Sequence, residues 1–242
     1  MDKILYTPEK GKSLLVPIFN GKIIEKMPEL ISQGYIPISI SEIMEQRIKA
    51  WESKDKGLIS LWEKNYFDSG DGIIYHPDGR IKIVLDSQNL KNINPNTQLN
   101  WYGAQVLPEQ TFQKTQGIEF TRNEIKEYAN KYLKKKEVLS NPIWLALVRE
   151  DKQLLKEYTY QVFSKINHLE LMKIWISNSP HFEAQRLFCL DSLDFYSSID
   201  GINFGQTFEN IGCLIGIKPN ICKKKQLSYQ KNSLETLVRD IS

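Results

Sequence analysis

Four carboxylates and a histidine lie on one short stretch of the chain, residues 68–86. The carboxylates are Asp68, Asp71, Asp78 and Asp86, and the histidine is His76. Pro77 and the Asp78-Gly79 pair favour a tight turn, because proline fixes φ and glycine readily takes a positive φ. The sequence therefore predicts a β-hairpin with strands at 73–75 and 80–85, with these groups on or beside it.

Three of these carboxylates could share one metal ion. Asp68, Asp71 and Asp86 lie at the open ends of the predicted hairpin, whereas Asp78 lies at the far turn. Hard divalent cations bind clustered carboxylate oxygens, and hydrolases of phosphate esters use such ions. The pattern therefore suggests a divalent-cation site at these three residues, although the spacing is not that of a calcium-binding loop. Turn formation and solvation explain the same residues without any metal.

Two histidines are candidates for general acid–base catalysis. Histidine side chains exchange protons near neutral pH, so His76 could act as a general base. His181 precedes Glu183 by two residues, and in an extended segment both side chains would point the same way and could pair. We therefore consider His76, His181 and Glu183 as candidate catalytic residues. The alternatives are an exposed histidine in the turn and a surface salt-bridge network around His181.

The sequence signatures of several large enzyme classes are absent. The chain has no Gly-x-Ser-x-Gly motif and no Gly-x-x-x-x-Gly-Lys-Ser/Thr phosphate loop, and Gly70-Asp71-Gly72 is too short for a dinucleotide fingerprint. The three cysteines, Cys189, Cys213 and Cys222, are odd in number and unevenly spaced. We expect free thiols rather than disulfides or a zinc site.

The net charge of +3 is concentrated near the C-terminal end. Residues 218–242 hold six basic and two acidic side chains, which leaves the rest of the chain at −1. Nucleic-acid-binding proteins usually have one strongly basic face on the folded domain itself, so a nearly neutral body argues against that class. A second lysine run, residues 134–136, is predicted to end a helix that begins near Thr121, where positive charge complements the helix dipole.

The basic tail is predicted to carry a short amphipathic helix. A lysine run precedes apolar residues at helical spacing; the residues are Lys223, Lys224, Lys225, Leu234, Leu237, Val238 and Ile241. Such a helix behind a basic linker is typical of a docking element, so we expect the tail to bind a protein partner. The alternatives are that the helix packs on its own domain, or that the lysines bind nucleic acid, which we do not favour.

Composition indicates an ordinary globular protein of the cytoplasm. Apolar residues make up 41% of the chain and charged residues 25%, and no apolar run approaches the ~20 residues of a membrane helix. The first residues lack the pattern of a signal peptide. We therefore expect a non-catalytic binding or protein-interaction protein without membrane contact. The alternative is a metal-dependent hydrolase of a phosphate ester.

The apolar patterns predict an α+β fold, a mixed or antiparallel sheet with helices packed on it. Capping patterns mark the starts of three helices: Ser39 or Ser41 for the first, with a Ser39-x-x-Glu42 capping box, Thr121 for the second, and Ser140 or Asn141 for the third. The apolar run 211–217 predicts a buried strand.

Residue composition and apolar patterns divide the chain into four parts. An N-terminal α/β subdomain with the acidic hairpin is expected at 1–88, and a helical then β subdomain at 118–218. An Asn- and Pro-rich connection at 89–117 joins them, because such residues favour loops. The basic tail occupies 219–242.

Two segments resemble a group of small archaeal proteins with no assigned activity. They are YHPDGRIKIVLDSQNL at 75–90 and NPIWLALVREDKQLL at 141–155, and the end at 213–219 resembles the C-terminal strand of that group. The resemblance implies a compact domain of prokaryotic type and assigns no catalytic residue. The lysine-rich extension after Pro219 is not part of it.

Overall fold

The computed structural model describes residues 2–6, 14–100, 103–165, 171–177, 180–193, 197–202 and 212–219. The predicted partner-binding residues of the tail, from Lys223 to Ile241, lie outside the described residues. The helices are α1 Ile23–Ser32, α2 Ile40–Ser53, α3 Lys56–Lys64, α4 Gln88–Lys91, α5 Thr111–Lys114, α6 Arg122–Tyr128, α7 Lys135–Ser140, α8 Pro142–Leu147 and α9 Lys152–Lys165. The strands are β1 Asp2–Tyr6, β2 Leu14–Gly21, β3 Ile36–Pro37, β4 Phe67–Tyr75, β5 Ile81–Val84, β6 Gln105–Val106, β7 Ile118–Phe120, β8 Tyr132–Leu133, β9 Met172–Trp175, β10 Ala184–Leu190, β11 Ser197–Ile202 and β12 Gly212–Ile217.

These strands form a mixed sheet whose main order is β1-β2-β12-β4-β10-β11-β9-β8. Most neighbouring strands are antiparallel, but β12 runs parallel to β4, and β9 runs parallel to β11. The predicted α+β class is confirmed, and of the mixed and antiparallel sheets that the prediction left open, the sheet is mixed. Because β4 lies between β12 and β10, strands from the two expected subdomains stand side by side in the same sheet.

Strand β4 is buried along its whole length. One face of the sheet carries the larger core, which includes Phe67. The opposite face carries a smaller core in which Cys189 and Leu214 pack with residues of α1. Since side chains alternate between the faces of a strand and both faces are covered, polar residues of β4 are buried on either side. Asp68 and Asp71 are both fully buried for this reason.

Local hydrogen bonds start three helices where the capping patterns predict. The Ser39 hydroxyl accepts the Glu42 N–H at 3.3 Å, and the Glu42 carboxylate accepts the Ser39 N–H at 2.9 Å. Thr121 and Glu124 form the same reciprocal pair before α6. Asn141 caps α8 with its side-chain oxygen. These elements depend on residues three apart, so the sequence alone indicates them.

The segment after α6 differs from the prediction. The helix ends at Tyr128, and Asn130 adopts a left-handed φ of 57°. Strand β8 then pairs with β9, and α7 begins only at Lys135. The prediction that lysines 134–136 end a helix is therefore wrong: they lie at the start of one, where the dipole does not favour positive charge. Strand pairing with a distant segment overrides the local helical pattern.

A buried arginine joins α2 to the rest of the core. Arg47 is fully buried, and its guanidinium donates to the carbonyl oxygens of Trp62 and Asn65 at 3.0 and 3.1 Å. It also donates to the Asp191 carbonyl at 2.5 Å and to the Tyr158 hydroxyl at 2.9 Å. Neutral acceptors thus satisfy this cation and tie α2 to the ends of α3 and β10 and to α9.

None of the described helices has the length and apolar composition that crossing a bilayer requires.

Candidate functional site

The predicted hairpin forms, and a small ionic network holds its turn. Tyr75 pairs with Ile81, and the His76 N–H donates to the Arg80 carbonyl at 3.0 Å. Asp78 Oδ1 lies 2.8 Å from His76 Nδ1, and Asp78 Oδ2 lies 2.8 Å from Arg80 Nε. Burial acts to raise the pKa of Asp78. The Arg80 N–H and the side chains of His76 and Arg80 act more strongly in the opposite direction and lower this pKa to about 2. His76 and Asp78 are thus bound to each other within the turn.

A groove of about 640 Å³ lies beside this turn. The turn forms one wall, α6 and the loop that follows it form another, and residues around His181 form a third. Ile81 and Ile125 contribute apolar surface, and Arg122, Lys126 and Lys131 contribute charge. This volume falls within the range of roughly 300–1,000 Å³ that is typical of sites for small organic ligands.

The groove carries an excess of positive charge. Arg122, Lys126 and Lys131 line it and are exposed. Among the described residues, none of these three side chains has an ion pair or a hydrogen bond. The carboxylate of Asp78 also lines the groove, but its oxygens are already paired with His76 and the arginine of the turn. An anion that enters the groove would therefore meet unpaired cations.

Two backbone features place these cations. Gly79 has a φ of +95°, which favours glycine, and a Cβ atom there would lie 3.0 Å from Arg122 Cδ. The arginine side chain therefore packs directly on the hairpin turn. On the other side, the Asn130 side chain donates to the Ile176 carbonyl and accepts the Ile176 N–H, both at 2.8 Å. This double hydrogen bond fixes the loop that carries Lys131.

None of these three cations is among the site residues predicted from the sequence. One signal was available for two of them, because Arg122 and Lys126 follow the capping pattern at Thr121 and are four residues apart, which places them on one face of α6. No local signal places Lys131, since its position depends on the pairing of β8 with β9.

His181 and Glu183 have different surroundings. His181 is exposed and lines the groove. Glu183 is 8% exposed, and its two carboxylate oxygens accept the N–H groups of Gln110 and Phe112 at 3.1 and 2.7 Å. The carboxylate that was expected to pair with His181 is therefore engaged by the backbone at the start of α5. The geometry assigns Glu183 a capping role.

Asp71 and Asp86 come together, but around a cation of the protein itself. Asp71 accepts the Asp86 N–H at 3.0 Å and the Ile40 N–H at 2.8 Å. Arg149 Nη2 lies 2.9 Å from Asp86 Oδ2 and 3.6 Å from Asp71 Oδ1. Burial raises the pKa of Asp71 to about 6, although Arg149 and the two N–H groups act in the opposite direction. The Arg149 guanidinium thus supplies beside Asp71 and Asp86 the positive charge that was expected from a divalent cation.

Arg149 reaches these carboxylates from an unusual turn between α8 and α9. Arg149 and Glu150 both have positive φ angles, 58° and 62°, which non-glycine residues adopt at a cost. The Glu150 N–H donates to the Leu145 carbonyl at 2.9 Å. This hydrogen bond and the ion pairs of Arg149 hold the turn in place.

Asp68 lies in a third environment. Its Oδ2 accepts the Cys213 N–H at 2.6 Å, and its Oδ1 has no hydrogen-bond partner. Burial raises the pKa of Asp68 to about 7; the Cys213 N–H lowers it and the Asp191 carboxylate adds to the rise. Within the described ranges, no group of three or more His, Cys, Asp or Glu side chains is arranged to hold a metal ion. The cation site at Asp68, Asp71 and Asp86 therefore gains no support from this geometry and stays a prediction.

Comparison with known proteins identifies the fold. No family model and no curated protein matches the chain. A solved structure described as "Accommodation of massive sequence variation in Nanoarchaeota by the C-type lectin fold" is similar, with 16% sequence identity and a TM-score of 0.64. The alignment covers 83% of this chain and 96% of the other. The chain shares the C-type lectin fold. The likeness shows the fold alone, and the resemblance to small archaeal proteins stays a prediction.

Proposed function

We propose that this chain is a non-catalytic binding protein of the cytoplasm that takes a small anionic ligand into the groove beside the hairpin turn. The observation that carries the proposal is the unpaired positive charge of Arg122, Lys126 and Lys131 in a groove of ligand size. Phosphate and carboxylate groups suit these residues, because arginine binds them through paired N–H donors and lysine as a point charge.

The fold supports a binding role for this groove. The similar structure is described as accommodating massive sequence variation. A fixed sheet can hold surface loops in place while the residues on those loops differ, and binding residues are commonly found on such loops. In this chain the pairing of β4 with β5 holds the turn, and the pairing of β8 with β9 holds Lys131. The hairpin turn and the loop that carries Lys131 are thus both anchored on strands.

Isothermal titration calorimetry at low salt tests the proposal, with inorganic phosphate, pyrophosphate and citrate as probes. Arg122→Ala and Lys126→Ala should each weaken binding about fivefold or more, because each removes a charge that faces the ligand. Lys114→Ala is the matched control, since it removes one exposed positive charge outside the groove lining. Absence of binding to all three anions, or equal affinity in the groove variants and the control, would contradict the proposal.

We also propose, from the sequence pattern, that the tail docks a protein partner through its lysine run and its apolar stripe. Deletion of residues 219–242 distinguishes this role from packing on the chain's own domain. A docking tail leaves the melting temperature of the truncated protein unchanged. A tail that packs on its own domain lowers the melting temperature when it is deleted, because buried apolar surface is lost.

A further inference from the structure

The β8 edge of the sheet exposes two aromatic rings with a lysine between them. Tyr132 lies directly opposite Lys173 in the pairing of β8 with β9, and Trp175 is two residues beyond Lys173. The three side chains therefore share one face of the sheet. Tyr132 is 49% exposed and Trp175 is 47% exposed. We call this region, together with lysines 134–136, the aromatic–lysine surface.

The central lysine of this surface contacts both rings. Lys173 Nζ lies 3.8 Å from the centroid of the Trp175 ring and 5.1 Å from that of the Tyr132 ring. The alternate residues Leu133 and Met172 point inward and are buried. The rings are thus held on a strand pair that is anchored in the core, with an ammonium group beside each of them.

Further positive charge adjoins the rings. Residues 130–136 include four lysines and no acidic residue. Lysines 134–136 lie at the start of α7, so the helix dipole does not account for them. The nearest acidic residue in sequence, Glu137, accepts the Lys134 N–H at 2.6 Å as part of the helix cap. Lys135 lies over a third exposed ring, that of Tyr160, at 4.3 Å from its centroid.

We propose that the aromatic–lysine surface binds single-stranded nucleic acid, with bases stacked on Tyr132 and Trp175 and phosphates paired with the neighbouring lysines. Exposed aromatic rings beside a basic track are what single-stranded nucleic acids require, because every base has a flat face and every nucleotide carries a phosphate. A base that stacks on either ring lets the Lys173 ammonium turn from the ring to a phosphate.

Other partners fit this surface less well. Lysine is depleted at the centres of protein–protein interfaces, yet here Lys173 lies between two exposed aromatic side chains. A neutral sugar could stack on the rings but would not use the lysines. Duplex nucleic acid keeps its bases stacked on one another, so it would engage the lysines and not the rings. The aromatic–lysine surface shares no residue with the lining of the groove.

Fluorescence anisotropy tests the proposal on the full chain, with a labelled 20-nucleotide oligo(dT) and a duplex of equal length at about 50 mM salt. We expect tighter binding of the single strand than of the duplex. Trp175→Ala should weaken single-strand binding roughly tenfold, whereas Trp175→Phe should retain most of it. Phe182→Ala is the control, because it removes an exposed ring outside this surface.

The salt dependence tests the role of the lysines. A double variant, Lys134→Ala with Lys136→Ala, should reduce the slope of log affinity against log salt by roughly 1.4. The matched control removes two exposed lysines on α3, Lys56→Ala with Lys64→Ala, and should leave the slope unchanged.

Three outcomes would overturn the proposal. They are the absence of single-strand binding, equal binding of single strand and duplex with no effect of Trp175→Ala, and equal losses in the surface and control lysine variants. The lysines of this test do not line the groove. Failure here and failure of small anions to bind the groove are therefore separate results.

Discussion

Replacement of Asp68 by asparagine should remove much of the pH dependence of the protein's stability. The Asp68 side chain is fully buried, and one of its oxygens has no hydrogen-bond partner. Its pKa is raised from the ordinary value of 3.8 to about 7, and burial is the main cause. A carboxyl group with a higher pKa in the folded chain holds its proton more tightly when folded. The free energy of unfolding is therefore largest below pH ~3.8 and falls as the pH rises through about 7.

The size of this effect follows from the two pKa values of Asp68. At about 1.36 kcal/mol per pH unit, the difference between 3.8 and about 7 lowers the free energy of unfolding by roughly 4 kcal/mol at alkaline pH. About 3 kcal/mol of this loss falls between pH 5 and pH 8.5. Asp71, whose pKa is about 6, adds roughly 1 kcal/mol over the same interval.

Asparagine is a close match for the protonated carboxyl group of Asp68. Its carbonyl oxygen can still accept the Cys213 N–H, and its amide group takes the place of the unpartnered oxygen. Urea unfolding followed by tryptophan fluorescence at pH 5 and pH 8.5 gives the two free energies. The wild-type protein should lose about 3 kcal/mol more than Asp68→Asn between these pH values. Glu52→Gln is the control, because it removes one carboxylate from an exposed position.

A clear result would refute this reasoning. If Asp68→Asn loses as much stability between pH 5 and pH 8.5 as the wild-type protein, the Asp68 carboxylate is ionised at little cost in the folded chain. Its burial would then not control the pH dependence.

Three substitutions test other parts of the structure. Arg149→Leu leaves the buried Asp71 without a cation, so the free energy of unfolding, measured with urea, should fall by about 2–3 kcal/mol at pH 8. The loss should be smaller at pH 5, where Asp71 is mostly protonated, and an equal loss at both pH values would contradict this. Glu183→Gln leaves one N–H group at the start of α5 without its charged acceptor and should cost about 1 kcal/mol, a value that calorimetric melting can confirm or exclude. Gly79→Ala strains the turn and displaces Arg122, so it should cost about 1–2 kcal/mol of stability and weaken the binding of anions to the groove; unchanged titrations with inorganic phosphate would show that Arg122 is not placed by the turn.

The sequence indicates those elements that depend on near neighbours. The hairpin turn follows from Pro77 and Gly79, and the helix starts at Ser39 and Thr121 follow from side chains that bond backbone groups three residues away. The buried strand β12 follows from an uninterrupted apolar run. Each of these signals is complete within about ten residues, so no knowledge of the tertiary fold is needed to read it.

The candidate sites depend on contacts that span much of the chain, and no local pattern encodes them. The Asp71 carboxylate meets Arg149, which is 78 positions away, as the sequence numbering shows. The expected metal site includes two carboxylates that a guanidinium already bridges. Likewise, the expected partner of His181 is a buried helix cap, because the Glu183 carboxylate accepts the backbone N–H groups at the start of α5, whereas His181 lines the groove.

One non-local contact produces both proposed binding regions. A continuous helix from Thr121 to the lysine run would place Lys131 and Tyr132 wherever the helical repeat directs them. Instead, Asn130 leaves the helix with a left-handed φ and bonds the backbone of Ile176. The next residue, Lys131, then faces the groove, and Tyr132 enters the sheet opposite Lys173. Loss of the Asn130 side chain should therefore weaken the binding of small anions and of single-stranded nucleic acid together, whereas Lys126→Ala should affect only the former.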